Sequence, residues 1–194
     1  KKAAFFALER ELSTLRDLEP VTTDGKYIEL SANIELPVEV ESVLQYGADS
    51  VCLYRSEFLF LTREDMPSEE EQYQAYKYIG ERMSPRAVTI RTMDAGGDKL
   101  VPALKMSGEL NPYMGWRSIR VCLDNREIFK TQLRAVLRAT AYSNIRLMFP
   151  MISNLWEIRE TKKILDEVRE ELTREAIPYN IQLEIGCMVE VPAA

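Results

Sequence analysis

The chain has 194 residues, of which 46% are hydrophobic and 29% are charged, and its formal net charge is -6. This balance is typical of a globular protein with a substantial core; it excludes intrinsic disorder and argues against a bulk nucleic-acid binder. The sequence contains no histidine, which excludes a histidine nucleophile, general base or metal ligand within this chain.

Residues 1–27 are predicted to form a linker helix and a lead-in to the main domain. Apolar residues recur at helical spacing from Phe5 to Leu18, with charged residues between them, and Pro20 ends the pattern. Neither a membrane-spanning apolar run nor a signal-peptide pattern is present, so we expect a cytoplasmic protein without membrane insertion.

From residue 28 onward, strand-like and helix-like segments alternate. Alternation of this kind predicts a parallel sheet with right-handed crossovers, buried on both faces. Ser68 and Glu71 have the spacing of a capping box. Cys52 and Cys187 lie in strand-like runs and are predicted to be small buried hydrophobes. The predicted strands are 27–34, 50–54, 87–90, 145–152 and 183–191, and the predicted helices are 37–49, 67–83, 113–123, 126–141 and 154–175.

Five such strands could form an open doubly wound sheet or five-eighths of a (β/α)₈ barrel, a fold of about 250 residues. No glycine-rich dinucleotide fingerprint follows the first strand, which favours the barrel. We therefore predict an α/β fold in which residues 28–194 form the N-terminal part of a TIM barrel. The chain would then end about three units early, as a fragment of something longer.

Charged residues follow several of the predicted strands. Arg55 ends the second strand, Arg91 ends the third with Asp94 just after it, and Glu190 lies near the end of the fifth. Ligands of parallel α/β sheets bind at this edge, and guanidinium groups bind phosphate and carboxylate oxygens in bidentate fashion. A carboxylate beside them is consistent with a bound Mg²⁺ ion. The pattern predicts a small, multiply anionic ligand with a phosphoryl group and a divalent metal.

Each of these residues also has a purely structural explanation. Arg55 could pair with Glu57 or a neighbouring acid, and Arg91 with Asp94, as ion pairs that only stabilise the fold. Arg117 lies in a predicted helix, where exposure to solvent is the ordinary state of an arginine. None of these signals is specific by itself.

Taken together, six motifs occur in a recognisable order and spacing. With them the chain resembles the Enzyme I family of the bacterial sugar phosphotransferase system, from about residue 28 onward. The resemblance implies a C-terminal (β/α)₈ barrel that binds phosphoenolpyruvate and Mg²⁺ and supplies a homodimer interface. The motifs are "LYRSEFLF", "IRTMDAGGDK", "NPYMGWRSIR", "IFKTQLRAVLRA", "IRLMFPMI" and "MVEVPAA".

By this resemblance, three arginines bind phosphoenolpyruvate, and they are Arg55, Arg91 and Arg117. Glu190 matches the first Mg²⁺ ligand of the family. Three further residues lie in motifs that border the site, namely Asp94, Lys99 and Asn111.

The resemblance also implies functional groups outside this chain. In the family, a histidine of an N-terminal domain accepts the phosphoryl group and passes it to a histidine-containing phosphocarrier protein. The second metal ligand and the cysteine that protonates the enolate would follow Ala194, so Cys187 is not that cysteine. We therefore expect no catalytic residue in this chain and no activity from the chain alone.

Two alternatives remain open. Pyruvate phosphate dikinase and phosphoenolpyruvate synthase share this type of barrel and carry a nucleotide-binding domain upstream. A non-catalytic module that binds phosphoenolpyruvate or mediates dimerisation is the second alternative.

Overall fold

The computed structural model describes residues 14–61, 65–96 and 115–194, together with residues 2, 6, 8, 10 and 12. Its sheet has five parallel strands in the order β1-β2-β3-β4-β5. Every strand thus lies beside its neighbour in sequence, and the order does not reverse as it does in a doubly wound sheet. The predicted parallel α/β fold is confirmed, whereas closure into a barrel stays a prediction. The strands are β1 (Ser31–Ile34), β2 (Ser50–Arg55), β3 (Val88–Arg91), β4 (Ile145–Phe149) and β5 (Ile185–Cys187).

The crossovers between these strands contain helices that pack against one another. A 3₁₀ helix, Pro37–Glu39, precedes α1 (Val40–Gln45), and the further helices are α2 (Phe58–Leu61), α3 (Glu69–Met83), α4 (Ile119–Asp124), α5 (Arg126–Thr140) and α6 (Leu155–Arg174). Helix α3 packs against α5, and α5 packs against α6. The helix order therefore follows the strand order.

The predicted helix over 113–123 is shorter in the structure, and α2 was not predicted from the sequence. Residues 113 and 114 lie outside the described residues, and α4 begins at Ile119. Ser118 has a φ of 53°, which is incompatible with a right-handed helix. The turn before α4 is therefore set by the backbone of Ser118.

Capping boxes begin the helices α3 and α6. The Ser68 hydroxyl accepts a hydrogen bond from the Glu71 backbone N–H at 3.2 Å, and the Glu71 carboxylate accepts one from the Ser68 N–H at 2.8 Å. Asn154 and Glu157 make the same reciprocal pair at the start of α6. The predicted capping box of Ser68 is confirmed, and both boxes satisfy backbone donors at a helix start.

The core lies between the sheet and the helices. Tyr54 of β2 is fully buried, and its ring meets that of Tyr76 of α3 edge to face at 5.9 Å between centroids. Phe149 of β4 meets Phe129 of α5 in the same way at 6.2 Å. These contacts identify the helix-covered face of the sheet.

The prediction that Cys52 and Cys187 are buried is wrong, since both are exposed. In β2, Cys52 is exposed between buried Val51 and buried Leu53. This is the ordinary alternation of a strand, so Cys52 lies on the face of the sheet opposite Val51. Cys187 is exposed because β5 lies at an edge of the described sheet.

The leading segment is helical at the described positions between 2 and 12, as predicted. Its apolar side chains are only half-covered, since Phe6, Leu8 and Leu12 are each about 50% exposed. The boundary near residue 27 stays a prediction. Within the described part of the chain, no helix is long and apolar enough to cross a bilayer.

Among the described residues, β1 and β5 each pair with one strand only, and Val189 is 82% exposed. Open strand edges and exposed apolar side chains favour association. We expect residues 1–194 expressed alone to elute as oligomers or aggregates in size-exclusion chromatography with light scattering.

Val189→Lys should shift this material towards monomer. The matched control is Val38→Lys, at a valine that is 64% exposed beside α1, and it should not. A monomeric, cooperatively melting wild-type chain would contradict the prediction.

Candidate functional site

Arg91 forms two ion pairs at the carboxyl end of β3. Its Nη2 donates to Glu57 Oε1 at 2.8 Å, and its Nη1 lies 3.1 Å from Asp94 Oδ2. All three side chains are less than 10% exposed. A buried guanidinium needs paired carboxylates to offset its lost hydration, and Arg91 has two of them.

Asp94 connects Arg91 to a second arginine. Arg117 Nη2 donates to Asp94 Oδ1 at 2.9 Å, and the Ser118 hydroxyl donates to the same oxygen. The Arg117 side chain is 11% exposed. The structural explanation of Arg117 as a solvent-exposed helix residue is therefore wrong. One carboxylate therefore holds two guanidinium groups at the carboxyl edge of the sheet.

Gly96 allows the two segments of this site to approach each other. It forms an antiparallel bridge with Arg117, and the Ser118 N–H donates to the Ala95 carbonyl at 2.9 Å. Gly96 has a φ of +135°, and a Cβ at this position would lie 2.5 Å from the Arg117 Cβ. Only glycine fits this contact without displacing Arg117.

The electrostatics of the cluster depend on Asp94. Burial raises the pKa of its carboxyl group, but the hydrogen bond from Ser118 and the charges of Arg91 and Arg117 outweigh it, so the pKa lies below its ordinary value. Asp94 is therefore ionised at neutral pH. Counted at their formal charges, Arg91, Arg117, Asp94 and Glu57 sum to zero.

Arg55 lies at the same edge but in a separate ion pair. Its Cα pairs in register with that of Arg91, and its Nη1 donates to Glu35 Oε1 at 2.8 Å. The structural explanation of Arg55 named Glu57 or a neighbouring acid as its partner; the partner is Glu35, and Glu57 pairs with Arg91. Because the Arg55 side chain is 41% exposed and Glu35 is 57% exposed, their ion pair is weak.

Glu190 follows β5 and is exposed. Its Oε1 accepts a hydrogen bond from the Met151 N–H at 2.7 Å. Nearby, Met188 Sδ lies 3.5 Å from Arg91 Nη1, which brings this segment to the arginine cluster.

The residues fit a Mg²⁺ ion only in part. Glu190 offers a hard carboxylate of the kind that Mg²⁺ prefers. No group of three acidic, histidine or cysteine side chains that could hold a metal occurs among the described residues. Further oxygen ligands would have to come from substrate, water or other residues.

Lys99 and Asn111 lie outside the described residues. Arg120 lies in α4, where its Nη1 donates to the Gly115 carbonyl at 2.5 Å and its Nε lies 3.4 Å from Glu157 Oε1. Arg120 therefore supports the turn before α4.

Sequence reasoning missed Glu57, Ser118 and Gln132 as parts of this site. Glu57 stands two residues after Arg55 in the same strand-end motif, which could have suggested its role. Gln132 lies on α5 with no local signal of this role, since its partners include Met93 just after β3 and Ser56 just after β2.

Comparison with known proteins identifies the family. Residues 9–194 match the family model described as "PEP-utilising enzyme, PEP-binding domain". The chain belongs to this family. It is 46% identical over 193 residues to the phosphoenolpyruvate-protein phosphotransferase of Staphylococcus carnosus (strain TM300) and 45% identical to that of Bacillus subtilis (strain 168).

These alignments cover 100% of the chain but 34% of each relative, so the chain spans about a third of their length. The resemblance to Enzyme I is confirmed at this level. The assignment of individual substrate-binding residues stays a prediction.

Gly96→Ala should disturb the site more than its matched control, Gly25→Ala. Both glycines have positive φ, but a Cβ at Gly25 meets no atom within 4 Å. At Gly25 the positive φ costs an alanine about 1–2 kcal/mol. At Gly96 the φ of +135° lies farther from the left-handed helical region and is less accessible to alanine, and overpacking against Arg117 adds about 1–3 kcal/mol there. Urea unfolding of the full-length gene product measures the difference, and equal losses in the two variants would contradict the proposed contact.

Asp94→Asn should lower stability at pH 7 on the order of 3 kcal/mol, because it breaks buried ion pairs. The depressed native pKa of Asp94 stabilises the fold above the unfolded-state pKa of about 4, and this contribution is lost as pH falls through the native value. The difference in the free energy of unfolding between wild type and Asp94→Asn should therefore become smaller as the pH falls. Urea unfolding at several pH values measures this difference. The control Asp17→Asn, at an exposed ion pair with Arg16, should have almost the same free energy of unfolding as wild type. If the difference for Asp94→Asn does not change with pH, the ionisation of Asp94 does not contribute to stability as predicted.

Proposed function

We propose that this chain is the phosphoenolpyruvate- and Mg²⁺-binding domain of a phosphotransferase. The enzyme would move the phosphoryl group from phosphoenolpyruvate to a histidine on another domain, and then to a histidine-containing phosphocarrier protein of sugar transport. The observation that carries this proposal is the convergence of buried Arg91 and Arg117 on Asp94. Guanidinium groups at the carboxyl edge of a parallel sheet suit a phosphorylated, carboxylated ligand.

The proposed domain is the first five units of a (β/α)₈ barrel, residues 28–194, preceded by the linker of residues 1–27. The unbroken strand order and the matching order of helices support this architecture, because a barrel sheet continues in this way until its last strand meets its first. Three further units would complete the eight strands of the proposed barrel.

In this proposal the arginines bind the substrate oxygens and offset charge during transfer. Arg91 and Arg117 are held rigidly by buried carboxylates, whereas Arg55 is held only by the exposed Glu35. Substrate oxygens can replace Glu35 on Arg55 at small cost. Phosphoryl transfer needs positioning and electrostatic stabilisation more than it needs a base, and such a site supplies both.

Glu190 is the residue that would hold Mg²⁺. When bound, the metal would neutralise charge on the phosphate and carboxylate oxygens of the substrate. Because the cluster of Arg91, Arg117, Asp94 and Glu57 has no formal net charge, added positive charge from Arg55 and a cation would favour binding of a multiply anionic substrate.

The acceptor lies on another part of the enzyme in this proposal, because the chain contains no histidine. The relatives are about three times as long as the chain, which leaves room for an acceptor domain and for the rest of the barrel. We further propose a cytoplasmic homodimer.

Labelled phosphoenolpyruvate tests the proposal on the full-length gene product, with Mg²⁺ and without nucleotide. Acid-labile label that chases onto the phosphocarrier protein would support it. Label that chases onto AMP, alone or with inorganic phosphate, would instead identify a synthase or a dikinase. No label would overturn the phosphotransferase proposal and leave a binding or dimerisation module.

Arg91→Ala should reduce labelling at least about 100-fold, as is typical when a donor to developing charge is removed. The matched control is Arg82→Ala. Arg82 also pairs with a glutamate, donating two hydrogen bonds to Glu41 at 2.7 and 2.6 Å, but this pair joins α3 to α1 on the surface. The control should label at close to the wild-type rate, and equal losses in both variants would contradict a substrate role for Arg91.

A further inference from the structure

Glu57 is buried between the two charged residues that end β3. Its Oε1 accepts from Arg91 Nη2 at 2.8 Å and from the Asp94 backbone N–H at 2.9 Å. The same oxygen therefore fixes the guanidinium of one residue and the backbone of the other. Its side chain is 4% exposed, so these two contacts take the place of hydration.

Gln132, on α5, holds the backbone beneath the same site. Its Oε1 accepts from the Met93 N–H at 2.9 Å, and its Nε2 donates to Ser56 Oγ at 3.0 Å and to Tyr76 OH at 3.1 Å. Both amide hydrogens and the amide oxygen are thus used, which fixes the orientation of the amide group. The residue is 1% exposed.

The network continues from Gln132 to the backbone of Arg91. The Ser56 hydroxyl donates to the Arg91 carbonyl at 2.7 Å, so its oxygen is left to accept from Gln132. At the other end, Tyr76 OH donates to Gln72 Oε1 at 3.2 Å, and Gln72 Nε2 donates to the Pro67 carbonyl at 3.1 Å. Two of the three hydrogen bonds of Gln132 therefore lead to the end of β3, and the third leads away from it.

We propose that Glu57 and Gln132 are positioning residues for Arg91 and Asp94. Glu57 fixes the Arg91 side chain and sets its local charge, and Gln132 fixes the backbone that carries both residues. This inference rests on the proposed phosphotransferase function. An apolar residue could fill the space of Gln132 without the cost of burying an amide, so the directional hydrogen bonds are the reason for a glutamine there.

Substitutions of Glu57 and Gln132 are expected to affect anion binding and the rate of transfer differently. Glu57→Gln keeps the shape but removes one negative charge, which leaves the four-residue cluster with a formal charge of +1. Anions should then bind more tightly, while transfer slows because Arg91 is held less firmly. Gln132→Met keeps the volume but removes all three hydrogen bonds, so the end of β3 loses its support with no change in charge.

The test measures labelling of the full-length gene product by phosphoenolpyruvate. The readouts are the rate at saturating substrate and the concentration that gives half this rate, with urea unfolding of each variant. Gln72→Met is the matched control: the residue type, the substitution and the burial are the same, but the hydrogen bonds of Gln72 do not reach β3.

Gln132→Met should slow saturated labelling about 10-fold or more, and Gln72→Met less than about 3-fold, at similar losses of stability. Glu57→Gln should slow labelling and lower the half-saturating concentration. Equal slowing by Gln132→Met and Gln72→Met would overturn the role of Gln132, and a raised or unchanged half-saturating concentration in Glu57→Gln would overturn the role of Glu57.

An inactive wild-type protein would refute the proposed function itself. Failure of the proposed function is therefore distinguishable from failure of the positioning roles, which only the variants test. If Glu57→Gln does not fold, the pair of glutamine variants still decides the role of Gln132.

Discussion

The site depends on one carboxylate shared by two buried guanidinium groups. Without Asp94 and Glu57, burial of Arg91 would leave its charge unpaired at a cost of several kcal/mol. The close contact between Gly96 and Arg117 places Arg117 beside the Asp94 carboxylate. Ser118 has a positive φ, and its hydroxyl donates to the same carboxylate. The local backbone of the whole strand-end region therefore follows from the need to pair these charges.

Neutrality of the buried cluster has a consequence for ligand binding. In the proposed site, two arginines that are already paired with two carboxylates would orient an anion but add little net attraction for it. Net positive charge would come from the more exposed Arg55, whose pair with Glu35 is open to solvent and readily exchanged. In this proposal, the buried ion pairs would define the geometry of the site, and the exposed Arg55 would adjust its charge. In a site for phosphoryl transfer, such a division would favour both selectivity and product release.

The sequence predicts the position of Arg91 well, because a strand-like apolar run that ends in arginine places it at the carboxyl edge of the sheet. It predicts the pairing partners poorly. Arg117 was expected in a helix, and the positive φ of Ser118 that excludes this is not encoded by any local propensity. Cys52 is predicted to be buried because both faces of the sheet are predicted to be covered, but it is exposed between buried Val51 and buried Leu53. The role of Gln132 has no local signal in the sequence, because its hydrogen-bond partners belong to distant segments that only the fold brings together.

A positive-φ serine in a fully buried position needs compensation, since the conformation costs about 1–3 kcal/mol for a residue other than glycine. Ser118 receives it from two hydrogen bonds: its hydroxyl donates to Asp94, and its N–H donates to the Ala95 carbonyl. Both partners lie just after β3, in the segment that Glu57 and Gln132 hold from the other side. The strained turn and the buried network therefore stabilise each other through the same few residues. A shift of that segment would loosen both arginines together, so the geometry of the site is cooperative rather than a sum of independent contacts.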